Sequence, residues 1–406
     1  MALSAARPRP PCEACSASTA SSPTASSDRK AGRSWPGTER HRCSLRRRRL
    51  GAAAGRDDDA RNPHPRTRGI ASEPGVKALL SHAPGGPGTL RLEEVADPRP
   101  GPGQLLVRVR ACAVNYPDVL IIEDKYQFKP PRPFAPGGEI AGTVEAVGEG
   151  VAGWREGDRL IAMIGHGGMA EKVLVGAATA LPLPEGRSFE EGSALILTYA
   201  TSIHALLDRG RLQAGQTLLV LGAAGGVGLA AVELGKAYGV RVVAAVSSED
   251  KAGVARAAGA DAALVYPRGP FDKEGARALS QLFKDAVGPG GADVVYDPVG
   301  GDYAEAALRA IGWEGRYLVV GFPAGIPRLP LNLTLLKSCD VCGVFWGAFA
   351  ARDPAANAAH IATLFRLWDE GRIAPKVSRT WPLDKGAEAI AWMAARKAVG
   401  KLVVTV

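Results

Sequence analysis

The sequence predicts a two-part α/β protein, and three observations carry that expectation. Short strand-like runs broken by Pro-Gly turns open the structured region, and strand–helix alternation takes over near Ser193. The strands of the second part are apolar along their whole length. In the first part, strands are expected at 77–80, 105–114, 142–147, 159–163 and 172–175, with turns such as Pro100-Gly101-Pro102-Gly103 between them. That pattern suits a small barrel or irregular sandwich. In the second part, strands at 217–221, 241–246, 263–265, 293–296 and 316–320 alternate with helices that include 227–238 and 251–258. Unbroken apolar strands separated by helices imply a parallel sheet covered on both faces. From about Val341 a strand, a helix over 355–370, another strand, a helix over 385–396 and a last strand at 401–404 complete the chain.

Composition removes several function classes. At 406 residues and 46% hydrophobic, the chain has ample material for two buried cores. Its net charge of +9 lies entirely in residues 1–56, which hold eleven Arg, one Lys and three acids. The remainder balances 38 basic against 38 acidic residues, so its body carries no electrostatic footprint for nucleic acid. Six cysteines in a chain this long do not form a disulfide scaffold, which suits a reducing compartment. No apolar run approaches the roughly 20 residues of a membrane span.

Residues 1–75 are rich in Ser, Ala, Pro and Arg, with almost no branched aliphatics, and are expected to form a disordered basic leader. A targeting peptide, a basic tail for anionic partners and an accidental extension upstream of a start near Val76 compete. Asp57-Asp58-Asp59 and the missing apolar face count against targeting, and the extension is preferred. A cytoplasmic location follows, with the mitochondrion as the alternative if the leader is a transit peptide.

The sharpest local signal is Leu218-Leu219-Val220-Leu221-Gly222-Ala223-Ala224-Gly225-Gly226-Val227-Gly228, a buried strand running through a glycine cluster into a helix. Glycine is needed there for the tight turn, for close approach to a pyrophosphate and for helix–strand packing. Ala223 stands at the first glycine position of the usual pattern. Ala224, Gly225, Gly226, Val227 and Gly228 are the expected cofactor-binding residues of this loop. An NAD site wants an acid about 20 residues on, at the end of the next strand. Uncharged Val246 and Ser247 stand there, followed by Ser248 and Lys251, which favours the 2′-phosphate of NADPH. Ser247 and Ser248 could equally cap the following helix.

Taken with Ala113-Val114-Asn115-Tyr116-Pro117-Asp118, Pro136-Gly137-Gly138-Glu139-Ile140-Ala141-Gly142, Gly157-Asp158-Arg159 and Asp293-Val294-Val295-Tyr296-Asp297, this loop resembles the medium-chain dehydrogenase/reductase superfamily, in its zinc-independent quinone oxidoreductase branch. The resemblance runs from Val76 to the C-terminus. It implies a GroES-like β-barrel catalytic domain, split in sequence, around a Rossmann doubly wound parallel sheet. The expected divisions are 76–197 catalytic, 198–340 cofactor-binding and 341–406 returning to the catalytic domain. It implies a homodimer too. The family's alcohol dehydrogenases hold catalytic zinc with a Cys and a His at the positions of Asn115 and Gly138, so no metal is expected. Cys339 and Cys342 have knuckle-like spacing, but residues three apart on a strand point to opposite faces.

The expected chemistry is direct hydride transfer from NADPH to a quinone, aided by hydrogen-bond donors beside the acceptor oxygen. The resemblance places Asn115, Tyr116 and Asp118 at the cleft, with Tyr116 as donor to substrate, packing against the ring as its rival role, and Asn115 as an orienting amide. It puts Tyr266 at the adenosine end, Arg396 at the 2′-phosphate, and Gly321, Phe322, Phe345 and Trp346 around the nicotinamide, with core packing as the rival role for the aromatic pair. Two other readings remain open: reduction of an α,β-unsaturated carbonyl or an enoyl thioester of coenzyme A, and a non-catalytic NADPH-binding protein.

Overall fold

The computed structural model describes residues 75–406, so the expectations for the leader lie outside the described residues. Seven strands come first: β1 (Val76–Leu80), β2 (Arg91–Val95), β3 (Gln104–Val114), β4 (Glu139–Val147), β5 (Arg159–Met163), β6 (Lys172–Gly176) and β7 (Leu181–Pro182). Six follow in the middle of the chain: β8 (Thr217–Leu221), β9 (Arg241–Val246), β10 (Ala262–Val265), β11 (Ala292–Asp297), β12 (Ile311–Val319) and β13 (Asp340–Gly343). The last two are β14 (Val377–Pro382) and β15 (Lys401–Thr405).

β1 and β2 form an antiparallel pair, while β14-β15-β3-β4-β5-β7 form one sheet that β6 joins through β3. The first sheet is thus split in sequence, since β14 and β15 return to it after the whole middle segment. β3 is buried over most of its length, Arg108 and Arg110 being exposed. Its Leu105, Val107, Val109 and Cys112 pack into one core cluster. Ala111 and Ala113 present small side chains on the other face, where Phe189 packs. Each large apolar side chain buried in this way contributes about 1.5–3 kcal/mol.

The middle strands run parallel in the order β10-β9-β8-β11-β12-β13, the doubly wound arrangement whose strand order reverses between β8 and β11. Alternate residues feed opposite cores, as the period of a strand requires. Leu218, Val220, Val242 and Tyr296 lie in one cluster, and Leu219, Leu221, Val243 and Val295 in the other. Cys342 belongs to the first cluster and Cys339 to the second, so the two thiols pack on opposite sides of the sheet.

Two expectations need correction. β13 and the helix Pro354–Asp369 were expected in the segment returning to the catalytic domain, but β13 pairs with β12 in the parallel sheet. Leu364, Leu367 and Trp368 of that helix fill the core of the same sheet. The return comes at Val377 instead, where β14 opens. Secondly, Trp346, expected with Phe345 around the nicotinamide, takes the rival role of core packing and starts the helix Trp346–Arg352. Its ring is 9% exposed in the core, with Nε1 donating to Asn357 Oδ1 at 2.9 Å. Among the described residues no helix is long and apolar enough to cross a membrane.

Candidate functional site

In a doubly wound sheet the ligand crevice lies beyond the carboxyl ends of the strands where their order reverses. Here that point lies between Leu221 of β8 and Asp297 of β11. The chain leaves β8 through Gly222 at φ +57°, a left-handed conformation that a side chain would strain. Ala223 and Ala224 are buried, and Ala223 N donates to Ala245 O, so alanine at the first glycine position is a core contact. The helix Gly226–Ala237 starts from Gly225 with no side-chain cap. Its leading N–H groups therefore face outward with the positive end of the helix dipole, ready for a phosphate. Gly225, Gly226 and Val227 are half-exposed. Opposite them Asp297 Oδ1 accepts from Val299 N at 2.8 Å and Gly300 N at 2.9 Å, and Oδ2 accepts from the Tyr317 hydroxyl. Those bonds shape the loop after β11.

At the end of β9 the two serines divide the roles proposed for them. Ser248 caps the helix Glu249–Ala257, its Oγ accepting from Lys251 N at 3.4 Å. Ser247 Oγ lies 3.2 Å from Lys251 Nζ. Burial, with Arg268 nearby, holds the Lys251 ammonium below the ordinary lysine range. Arg268 had no motif to mark it, and only the fold brings it here. Tyr266 is buried against Tyr303, ring centroids 4.9 Å apart, and feels the charge of Arg396. Arg396 sits at φ +57° beyond the helix Gly386–Ala394 and donates to Pro323 O at 2.5 Å. The structure thus brings Ser247 to Lys251 and Arg268, and Arg396 to Tyr266. Phe322 follows Gly321 with its ring exposed, and Phe345 is exposed too.

The other wall of the crevice is the corner at Asn115. The helix Tyr116–Ile122 starts there with a reciprocal cap: Asp118 N donates to Asn115 O, and Asp118 Oδ2 accepts from Asn115 N at 2.7 Å. Asp118 Oδ1 accepts from Gly137 N at 3.0 Å. Asp118 is 3% exposed, and burial pushes its carboxyl up to about 6 against those two hydrogen bonds. Expected among the catalytic residues, Asp118 is instead the cap that fixes the corner. Tyr116 is half-buried, and its hydroxyl has no hydrogen-bond partner among the described residues. Tyr126, which the motifs did not flag, packs against the same core, and Asp118 raises its hydroxyl pKa after burial.

Beside the corner lies a buried charged cluster that the sequence did not reveal. Lys401 Nζ donates to Asn115 Oδ1 at 2.5 Å and to Glu139 Oε2 at 3.0 Å. Asn115 Nδ2 donates to the same Glu139 oxygen at 3.0 Å. Asn115 and Gly138 are the positions where the resemblance puts the zinc ligands of the alcohol dehydrogenases, and the residues present do not fit the metal. An amide oxygen already held by an ammonium is no substitute for thiolate. A Cβ on Gly138 would meet Gly165 O at 3.0 Å, so even the first atom of a side chain would be tight there, and glycine itself offers no ligand. Among the described residues no group of three His, Cys, Asp or Glu side chains could hold a metal ion.

Comparisons with known proteins agree with this architecture. Residues 101–185 match the alcohol dehydrogenase GroES-like domain, and residues 226–362 match the zinc-binding dehydrogenase model. Quinone oxidoreductase-like protein 2 of Mus musculus is 35% identical over 319 residues, covering 78% of this chain and 89% of the mouse protein. A mycobacterial protein solved in complex with NADPH superposes with a TM-score of 0.75 at 29% identity, over 82% of this chain and 100% of that one. The quinone oxidoreductase of Thermus thermophilus, solved alone and with NADPH, gives 0.68 at 31%, over 81% of this chain and 100% of that one. The chain belongs to the medium-chain dehydrogenase/reductase superfamily, in its quinone oxidoreductase branch.

Proposed function

We propose that this chain is an NADPH:quinone oxidoreductase that works without zinc. The observation that carries the reading is the buried Asn115–Lys401–Glu139 cluster, in which a protein cation holds the amide that stands at a zinc-ligand position of the alcohol dehydrogenases. Relatives and structural neighbours named as quinone oxidoreductases, some solved with NADPH, support both cofactor and acceptor.

Bound NADPH supplies a hydride from its nicotinamide ring. The chain's own residues bind, align and shield. Gly225 leads into the first helical turn, whose outward N–H groups from Gly226 and Val227 on hold the pyrophosphate, while Ser247, Lys251 and Arg396 take the 2′-phosphate and Tyr266 backs the adenosine end. Gly321, Phe322 and Phe345 border the nicotinamide half. Tyr116 donates its hydroxyl to the acceptor oxygen that gathers negative charge. A quinone becomes aromatic on reduction and needs less electrophilic help than a saturated ketone, so one fixed donor suffices.

The test is NADPH oxidation with 1,4-benzoquinone, using chelator-treated protein and NADH as control. Turnover with NADPH that ignores chelator and is much slower with NADH is expected. Tyr116→Phe should lower kcat by about tenfold or more with little change in KM for NADPH. Binding of NADPH without quinone turnover would move the assignment to unsaturated carbonyls or thioesters. We further propose a homodimer that closes on β13, an edge strand that pairs with β12 alone among the described residues. Val341 on that strand and Leu331, Leu335 and Leu336 beside it are exposed. Sedimentation at the 42.2 kDa of a single chain would rule the dimer out.

A further inference from the structure

One buried side chain has been given no task in hydride transfer. Lys401 opens β15, is 3% exposed, and reaches both ends of the crevice. Its stem lies under the cofactor loop, because a Cβ on Gly226 would meet Lys401 Cδ at 3.1 Å and Thr198 Cγ2 at 3.1 Å. The residue before it is tied to the same loop: Gly400 N donates to Ala224 O at 2.8 Å, and Gly400 bridges Gly225 in parallel. Its ammonium ends on Asn115 and Glu139 at the substrate wall.

Each partner is fixed in turn. Glu139 is fully buried and also accepts from Leu197 N at 2.8 Å, in a π-helical segment spanning Ile196–Ala200. Three stretches of chain therefore converge on one carboxylate. The amide of Asn115 has its oxygen on an ammonium and its nitrogen on a carboxylate. Turning it over would set NH2 against NH3⁺ and C=O against COO⁻, so a single orientation survives. A buried ion pair is a poor source of stability, since well-packed apolar residues often serve as well. What this pair contributes in addition is orientation.

We propose that Lys401 is a positioning residue for the hydride-transfer reaction: its ammonium sets the orientation of Asn115 and ties the Asn115–Tyr116 corner to the loop that holds the cofactor. Donor and acceptor are then aligned by one internal cation rather than by a metal. The inference rests on the oxidoreductase reading above.

The test uses the full-length enzyme with Lys401→Met and Glu139→Gln combined, which removes the pair without leaving a buried charge uncompensated. The double variant should keep its melting temperature within a few degrees and its Kd for NADPH within about twofold, while kcat falls about thirtyfold. The isotope effect with deuterated NADPH should rise, because misalignment slows the chemical step itself. Lys401→Arg keeps the cation and should recover kcat to within about fivefold of wild type. Asn115→Ala leaves the ion pair intact and tests the same point should the double variant not fold; it should show the same loss of kcat at unchanged Kd.

A folded double variant, or Asn115→Ala, with kcat within about threefold of wild type overturns the proposal. So does a parallel loss of kcat and NADPH affinity, which would mean that the pair only props up the cofactor loop. So does a Lys401→Arg variant that folds as well as wild type and is as slow as the double variant. Rates are compared on whichever acceptor wild type reduces. A wild-type enzyme that ignores quinones but reduces an enone therefore removes the acceptor assignment, while the ratio of variant to wild type still decides on Lys401.

Discussion

Replacing Lys251 and Arg396 together with Ala is expected to raise KM for NADPH by about a hundredfold and to leave KM for NADH within about twofold. The 2′-phosphate carries close to two negative charges, and a charge-assisted hydrogen bond to it contributes about 1.5–3 kcal/mol. Losing two such donors removes roughly 3 kcal/mol, which is the hundredfold. Lys251 is the better placed of the two. It is half-buried beside Ser247 and crowded by Arg268, so its own charge is held at a cost until an anion arrives. The nearby acid Glu249 does not cancel this, because it is exposed and turned toward Arg256 at 3.9 Å. Arg268→Ala alone should have a smaller effect, since it removes a distant attraction and a repulsion on Lys251 together. Steady-state kinetics with both nucleotides decide the matter. If KM for NADPH stays within about twofold in the double variant, the phosphate lies elsewhere and the cofactor assignment of these residues fails.

The fold was legible wherever periodicity was clean. β5, β8 and β9 fall on the strands expected from their apolar runs, because a strand buried on both faces leaves no ambiguity of register. β2 was missed because all its residues but Val95 are exposed, so no hydrophobic period marks it. The long helical run from Phe189 through Arg209 was missed for another reason. It is broken by π-helical segments at Ile196–Ala200 and His204–Arg209, which shift the period that a helix is recognised by. The boundary placed at 341 failed because a sixth parallel strand looks, in sequence, like any other short apolar run.

The candidate site divides along the same line. Motifs with a local cause could be read directly: the glycine loop, the Ser247–Lys251 turn, the Asn115 corner. Residues that matter through the fold could not. Lys401 is 286 residues from Asn115 and 262 from Glu139, so only closing the sheet through β15 puts an ammonium between them. The role given to Asp118 changed for a related reason. An acid three residues after Asn115 fits a helix cap as well as it fits catalysis, and only its burial against two backbone N–H groups separates the two.

Two glycines of the cofactor loop should respond to alanine in opposite ways. At Gly228 a Cβ would meet Gly222 O at 2.3 Å and Ala223 Cα at 2.8 Å, both backbone atoms that cannot swing aside. Gly228→Ala must push the helix Gly226–Ala237 away from the turn, an overpacking that costs about 1–3 kcal/mol and lowers the melting temperature. It also moves the N–H groups proposed to hold the pyrophosphate, so KM for NADPH should rise about tenfold or more. At Gly225 the nearest atom to a Cβ is Gly222 O at 3.4 Å, and φ is −79°, which alanine adopts freely. Gly225→Ala should therefore melt with wild type, and any loss of NADPH affinity must come from a methyl group standing between the loop and its ligand. Thermal melts read beside KM separate the two causes. A Gly225→Ala variant with unchanged melting temperature and unchanged KM would show that no phosphate approaches there, and the loop would then be a packing motif alone.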